Sequence, residues 1–514
     1  MAGKAGRSNH HQKLVIFLTM PILLGCALSE PITTTAVPAL ATTSATRIQS
    51  GTPSPLSFLP PTRLPGSPIL SPTPDTPHVL PTARSNTINY VVQPNDTLGL
   101  ISRKYGVGIP SLMEANKITN PDLLSVGKQL TIPPPPPAQP GPDFKIIPDS
   151  ELVFGPASAS LNLKSFIKGS KGYLSSYSED VNGQNLSGTE IVNLVSREYS
   201  VNPRLLLALL EYRSGWLRNA NPSGKTLDYP LALINSAYKG LYRQLSWAAN
   251  NLNRGYYLWK VNAVSTWVLA DGTSVPAAAT INAGTAGVQY LMGQLYAQSD
   301  WITAVSADGF IKTYQDLFGY PFDFTIDPLV PKDLTQPTLQ LPFESGKVWS
   351  FTGGPHAGWD EGSAWAAIDF APPGKVLGCV QSDEWVVASA DGLIVRSGNG
   401  AVVQDLDGDG YEQTGWTILY MHIETRDRVP SGKYLHVGDR IGHPSCEGGI
   451  ATGTHVHLAR RYNGEWISAD GPLPFVLDGW VSEGNGNEYD GYLRRNNATV
   501  EAWDSRRSEN QIQR

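Results

Sequence analysis

The sequence predicts a multidomain chain: a small βααβ module, an all-α middle domain and a mostly antiparallel β C-terminal domain. Three observations carry that prediction. The 514 residues exceed what one ordinary domain takes up. Two Pro-rich stretches, residues 27–86 and 134–144, punctuate the chain. Around them the hydrophobic pattern passes from helical spacing to short strands separated by Gly, Asp and Pro. Hydrophobic content of 41% suffices for real cores. The net charge of −6, with no basic cluster outside the N-terminus, argues against nucleic acid as a partner.

Residues 1–26 read as an export signal: Lys4, Arg7 and Lys13, then an apolar run over 14–24 that is too short for a permanent membrane span. The run ends in Leu23-Leu24-Gly25-Cys26, which resembles a bacterial lipobox. The resemblance implies that Cys26 becomes a lipidated N-terminus and that the protein is exported to the cell envelope and anchored in its membrane. The alternative is a plain secretory signal with a chance cysteine. The chain has 3 Cys, so a lipidated Cys26 leaves Cys379 and Cys446 for one disulfide in an oxidising compartment. Residues 27–86, rich in Pro, Ser and Thr, read as a disordered tether.

Residues 87–133 form a compact unit. The strand YVVQ leads to Asp96-Thr97 at a helix start, followed by Leu98, Ile101 and Tyr105 at helical spacing. Ile109-Pro110 opens a second helix, and GKQLTIP closes the unit as a strand with a Pro stop. This order resembles a LysM domain, which implies binding of N-acetylglucosamine-containing glycan such as peptidoglycan. The implied contacts lie in two loops, at Asn95, Asp96, Thr97 and Leu98 and at Asn120 and Pro121. The prolines that follow make residues 134–144 a stiff spacer.

Residues 145–330 carry strong helical periodicity from Thr189 onward, with an Asn202-Pro203 helix start. The helix after it is nearly all apolar and must be buried. The pattern is similar to the helical half of lysozyme-like lytic transglycosylases, where an apolar helix delivers a catalytic Glu just before Ser-Gly-aromatic. Ser214-Gly215-Trp216 match, but Arg213 stands where that Glu belongs. Glu211 lies two positions earlier, about 200° round the helix. A general acid cannot move that far and still face the same sugar. The expectation is therefore a non-catalytic domain that holds glycan or acts as a spacer.

The C-terminal domain, residues 336–480, is organised around CEGGIATGTHVHLA at 446–459. On a strand His455 and His457 project to the same face. Neutral imidazole is the commonest zinc ligand, and a catalytic zinc site takes three protein ligands and an open position. Two histidines on a solvated strand are the plain alternative, so partners are needed. Of 9 His, His356 in GGPHAGWDEGSAWAAIDFAPP, which also holds Asp369, and His422 in ILYMHIE are the candidates. His436 and His443 sit in turn-like contexts and look peripheral.

These motifs, over residues 336–475, resemble the lysostaphin-type zinc endopeptidases of peptidoglycan, and within them the beta-lytic, staphylolysin-like branch. In the larger family the first ligand lies four residues before the aspartate, where this chain has Trp365. In the beta-lytic branch it lies further upstream, and His356, thirteen residues before Asp369, meets that spacing. The resemblance implies His356, Asp369 and His457 as zinc ligands and His422 and His455 as catalytic histidines. His455 is expected to be the general base and His422 the proton donor to the oxyanion and leaving amine, or the reverse. Trp359, Trp365 and Tyr420 are expected either to line the cleft or to pack under the sheet.

Asp405, Asp407 and Asp409 in DLDGDG are spaced like the start of a calcium loop, but Trp416 takes the twelfth position where an EF-hand has Glu. A Ca2+-holding hairpin loop and an acidic solvated turn both stay open. Residues 481–514 read as a loosely ordered polar tail. Together these readings imply a wall-tethered zinc metalloendopeptidase that cuts peptidoglycan stems or cross-bridges. The rival is a non-catalytic murein-binding scaffold that activates other hydrolases.

Overall fold

The computed structural model describes residues 72, 74–82, 84–135 and 139–514. The export signal, Cys26 and most of the 27–86 tether lie outside them. Among the described residues no helix is long and apolar enough to cross a membrane.

In the first module the strands Ile88–Val91 and Gln129–Ile132 pair antiparallel around the helices Leu98–Tyr105 and Ile109–Asn116. The Thr97 hydroxyl accepts the Leu100 N–H at 3.1 Å, the N-cap that the sequence marks, and Gly106 ends that helix in the left-handed conformation. The module sits on the middle domain, where the Ile109 N–H donates to the Gly272 carbonyl at 3.0 Å. The end of the tether docks there too. His78 stacks on Trp259 at 4.5 Å between ring centroids, and its backbone N–H bonds the Ala279 carbonyl at 2.7 Å. These contacts hold residues 75–78, near the C-terminal end of the tether.

The middle domain packs the helices Gly188–Tyr199, Pro203–Ser214, Leu241–Lys260 and Ala283–Leu295 round one core. Asn202 caps the second of them by accepting the Arg204 N–H at 3.0 Å, and Leu205–Leu210 are buried on every side. The domain is not all-α. Ser178–Val181 pairs with Gln184–Ser187, and Thr266–Val268 pairs with Ser274–Pro276. Asn182 and Gly183 take φ of +53° and +82°, the two left-handed positions of a tight hairpin turn, and Asn-Gly is the dipeptide that favours it.

The main sheet of the C-terminal domain is antiparallel throughout. Its strands run Tyr434–Leu435, Gly392–Gly398, Ala401–Asp405, Trp416–Met421, Val456–Tyr462, Ala367–Ala371, Val348–His356 and Gln511–Gln513. Alternation gives the sheet two faces. Ile368, Phe370, Ile418, Tyr420, Val456 and Leu458 fill this domain's own core. Ala367, Ala401, Leu419, Met421 and Ala459 turn the other way and join the core of the middle domain. Ala367 and Ala459 are direct cross-strand partners, so this face is low enough for helices to settle on it.

The segment expected as a loosely ordered tail is part of this architecture. Trp480–Gly484, Gly491–Arg495 and Ala498–Glu501 form a second antiparallel sheet with Val476–Leu477, and Gln511–Gln513 closes an edge of the main sheet. Leu493 and Ile512, spaced among polar residues, are buried in the core; this alternation outweighs the polar composition.

Charged groups tie the two large domains together. Glu412, almost wholly buried, receives Arg197 of the middle domain at 2.7 Å, Arg396 at 3.0 Å and Arg461 at 2.8 Å. Burial pushes its carboxyl up, but the three guanidiniums outweigh it and hold it well below the usual range. A carboxylate depressed on folding stabilises the fold above its unfolded pKa and loses that contribution as pH falls. Glu412→Gln is therefore expected to cost about 3–5 kcal/mol near neutral pH, because buried Arg461 and the partly buried Arg197 and Arg396 lose their shared carboxylate. In urea melts the gap between parent and variant should shrink from about pH 5 down to about pH 2. A gap that stays constant with pH would contradict this.

Candidate metal centre

His457 and Asp369 are direct partners on adjacent strands, so the backbone register alone brings them face to face. His356 arrives by a different device. The pairing of Val348–His356 with Ala367–Ala371 slips between Gly353 and His356, a bulge that re-aims the last side chain over Asp369. The glycine in GGPH is required by close approach: a Cβ on Gly353 would lie 2.6 Å from Asp369 Oδ2.

Three donor atoms converge. His356 Nε2 and His457 Nδ1 are 2.9 Å apart, and each is 3.3 Å from Asp369 Oδ1. The outer ring nitrogens are engaged by backbone carbonyls, His356 Nδ1 by Gly354 at 2.8 Å and His457 Nε2 by Gly358 at 3.1 Å. Those bonds hold the ring protons outside, so both inward nitrogens present lone pairs. Asp369 Oδ1 is buried and accepts no hydrogen bond. Two lone pairs and a carboxylate oxygen, sequestered from water, form a donor set for a cation and would be costly left bare. Burial works against a charged His356, but the Asp369 carboxylate, with the Gly354 carbonyl and Glu488, raises its pKa. Burial also opposes ionisation of Asp369, but His356 and His455 hold its carboxyl well below the usual range. Burial lowers His457.

Two more histidines stand beside this set. His455 has its Nδ1 on the Gly453 carbonyl at 2.7 Å and its Nε2 3.8 Å from Asp369 Oδ2. His422 has its Nδ1 on the Glu447 carbonyl at 3.1 Å, with its ring centroid 4.4 Å from that of His455. Burial and then the two neighbouring histidines push it down to about 3, so it is neutral. The sequence places His422 on the same strand face as Tyr420, and the structure corrects this. His422 has φ of +63°, which turns it out of the strand after Met421. Tyr420 is fully buried on the opposite face, its hydroxyl accepting the Ser389 N–H at 2.8 Å and donating to Gln404 at 2.9 Å. It packs under the sheet and lines no cleft. Trp359 packs towards Tyr199 of the middle domain, and Trp365 is half-buried with its carbonyl bonded by the Ala469 N–H at 2.7 Å.

The Cys379–Cys446 disulfide is formed. It ties the 374–382 loop to the residue preceding Glu447, whose carbonyl orients His422. His436 is exposed beside Asp391, and His443 lies against Trp385; neither reaches the site. One residue of the site escaped sequence reasoning. Tyr489, in the supposed tail, stacks on His356 at 4.2 Å between centroids, held by bonds between its backbone and Gly354 and Pro355. Only its aromatic character amid Gly and Asn could have signalled it.

The other candidate sites divide. In the first module Leu98 is buried in the core, Thr97 caps a helix, and Asp96 accepts from Tyr90 and from Gln93 N–H, both at 2.7 Å. Asn120 accepts the Asp122 N–H at 2.9 Å. Asn95, in the left-handed conformation, and Pro121 are exposed. The Leu98 side chain thus serves the fold. Asp405, Asp407 and Asp409 bring oxygens within 4.8 Å of one another, but each accepts N–H groups of its own loop. That loop delivers Glu412 to the domain interface. In the middle domain Glu211 accepts the Leu217 N–H at 3.0 Å and the Arg218 N–H at 3.3 Å. Arg213 donates to the Leu231 carbonyl at 2.9 Å and lies over Tyr296.

Residues 145–330 match the family described as LasA, N-terminal domain, and residues 90–133 match the LysM domain. Protease LasA of Pseudomonas aeruginosa is 25% identical over 299 residues, 53% of this chain and 66% of LasA. The beta-lytic metalloendopeptidase of Achromobacter lyticus is 28% identical over 160 residues, 30% of this chain and 40% of that protein. The chain is thus similar, over part of its length, to LasA and to the beta-lytic metalloendopeptidases, and carries a LysM match ahead of that stretch. It spans just under two thirds of LasA, at 66% of its length. A solved structure titled as the M23 metalloprotease Pseudoalterin is 24% identical and covers 33% of this chain and 97% of its own, with a TM-score of 0.27. The likeness of the middle domain is thus to the LasA N-terminal domain, and its Glu211 closes a turn. Glu211→Gln is expected to lower stability by about 1 kcal/mol through weakened bonds to the Leu217 and Arg218 N–H groups. It should leave any glycan chemistry of the 145–330 domain at zero in parent and variant alike. Mass spectrometry showing new reducing or anhydro sugar ends from the parent alone would refute this.

Proposed function

We propose that the chain is an exported zinc metalloendopeptidase that hydrolyses peptide bonds in the stems or cross-bridges of peptidoglycan, brought to its substrate by the LysM domain. The observation that carries this reading is the convergence of His356 Nε2, Asp369 Oδ1 and His457 Nδ1 beside two histidines whose Nδ1 atoms are held by backbone carbonyls. Zinc is the cation proposed, since two imidazoles and one carboxylate suit it and leave a fourth position open. Bound there, it would act as a Lewis acid on the scissile carbonyl and acidify the attacking water. Calcium has no part in the proposal.

The remaining work falls to the chain's own groups. His455 takes the proton of the attacking water on Nε2, because the Gly453 carbonyl holds its Nδ1 proton. His422 also meets the reaction as an acceptor, neutral and with its ring proton held by Glu447. It donates to the oxyanion or the leaving amine only after receiving a proton, and the close rings allow the two histidines to exchange roles. Anchoring through Cys26 belongs to the same proposal. Cys26→Ser should move the protein from the membrane fraction to the soluble one, and unchanged detergent partitioning would rule the anchor out.

The site assignment separates by metal content. His356→Ala, Asp369→Ala and His457→Ala should each lose zinc in elemental analysis, because an incomplete ligand set remains. His455→Ala should keep its zinc and lose about 10²–10⁴-fold in the rate of peptide release. Trp365→Ala should keep both. Digestion of purified peptidoglycan from several wall types, with identification of the new amino termini, tests the substrate. Full zinc and activity in His356→Ala, or no new termini from any wall, would sink the reading.

A further inference from the structure

We propose that the middle domain is a positioning element of the metal centre, because it holds the loop whose carbonyl orients His457. This rests on the zinc reading above. The loop 357–366 follows His356 directly, and its Gly358 carbonyl accepts the His457 Nε2 proton at 3.1 Å. That one bond keeps His457 Nδ1 free to face His356 and Asp369. Within the loop, Gly358 N–H donates to the Ala364 carbonyl at 3.0 Å and the Ser363 hydroxyl to the Asp360 carbonyl at 2.8 Å. Its outer turn is gripped from the middle domain. Gly362 N–H donates to Asn250 Oδ1 at 2.7 Å, the Tyr199 hydroxyl donates to Asp360 at 3.2 Å, and Arg254 pairs with Glu361 at 2.8 Å. The contact is close: a Cβ on Gly362 would lie 2.0 Å from the Asn250 carbonyl oxygen.

The floor beneath Gly358 is held by the same helices. A Cβ on Gly358 would come within 2.7 Å of the Trp466 ring, so the carbonyl's height is set by that indole. Trp466 in turn gives its backbone N–H to the Tyr257 hydroxyl at 3.0 Å and its indole N–H to the Tyr199 carbonyl at 3.4 Å. Both walls of the Gly358 turn therefore rest on the helices Gly188–Tyr199 and Leu241–Lys260. A domain acting only as a spacer or glycan holder has no need of such contacts one hydrogen bond away from a ligand. Loss of an outer partner of a metal-bound histidine typically weakens metal binding about 10–100-fold.

The test measures zinc affinity of the full chain by competition with a chromophoric chelator, using the metal alone as probe. Asn250→Ala combined with Tyr199→Phe should weaken zinc binding about 10–100-fold. Tyr199→Phe alone, which removes one hydroxyl and no packing, should show a smaller loss in the same direction. Asn250→Asp keeps an acceptor for the Gly362 N–H, so Asn250→Asp combined with Tyr199→Phe should bind zinc as Tyr199→Phe alone does. Tyr314→Phe removes a buried bond to Glu151 inside the middle domain, away from the loop; it should lower the melting temperature and leave zinc affinity unchanged. Parental affinity in the folded double variant overturns the proposal, as does an equal loss in Tyr314→Phe, which would mark general loosening. If the parent chain itself takes up no zinc, the zinc reading fails and takes this proposal with it.

Discussion

The alternation of one seven-residue strand governs most of what this chain does. Along Val456–Tyr462, Val456 and Leu458 turn into the core of the C-terminal domain, while His457, Ala459 and Arg461 share the other face. His457 meets Asp369, Ala459 meets Ala367 under the middle-domain helices, and Arg461 meets Glu412 in the domain interface. Metal centre, helix seat and charged latch are thus successive steps along a single face. A shift of one residue would send all three into the opposite core at once.

Burial is used in two ways on this face. At Glu412 three cations surround one carboxylate, and the charges are matched within the protein. At Asp369 one carboxylate faces two imidazoles, a donor set that fits a cation from outside. The first arrangement stabilises the domain pair; the second stores a binding capacity. Four backbone carbonyls, of Gly354, Gly358, Gly453 and Glu447, set the tautomers of the four histidines. Three of the four belong to glycines, where the chain can approach a ring without a side chain intervening.

The resemblance to a LysM domain and the linker boundaries rested on local signals, such as the Thr97 cap and the Pro stop after Gln129–Ile132. Those signals act over a few residues and survive in any context. The readings that changed were of another kind. Leu98 looked like a groove residue but lies in the core, because helical spacing puts it with Ile101 on the inner face. The Asn182-Gly183 hairpin interrupts a domain that its later helices mark as all-α, although its turn chemistry is present in the sequence. The polar 481–514 segment hid alternation too short to stand out, and with it Tyr489.

By itself the sequence determined the residue types of the centre, the shared face of His455 and His457, and the cysteine pair, since strand periodicity and composition are local properties. Only the tertiary structure decided which nitrogen of each ring points inward, because that depends on carbonyls from distant loops. It also decided that Tyr420 is buried away from the site, through the left-handed turn at His422. And it set the middle domain on the His457 face of the sheet, where Asn250 and Tyr199 hold a loop more than one hundred residues away in the chain. No periodicity records that contact, which arises from the fit of two surfaces built from separate stretches.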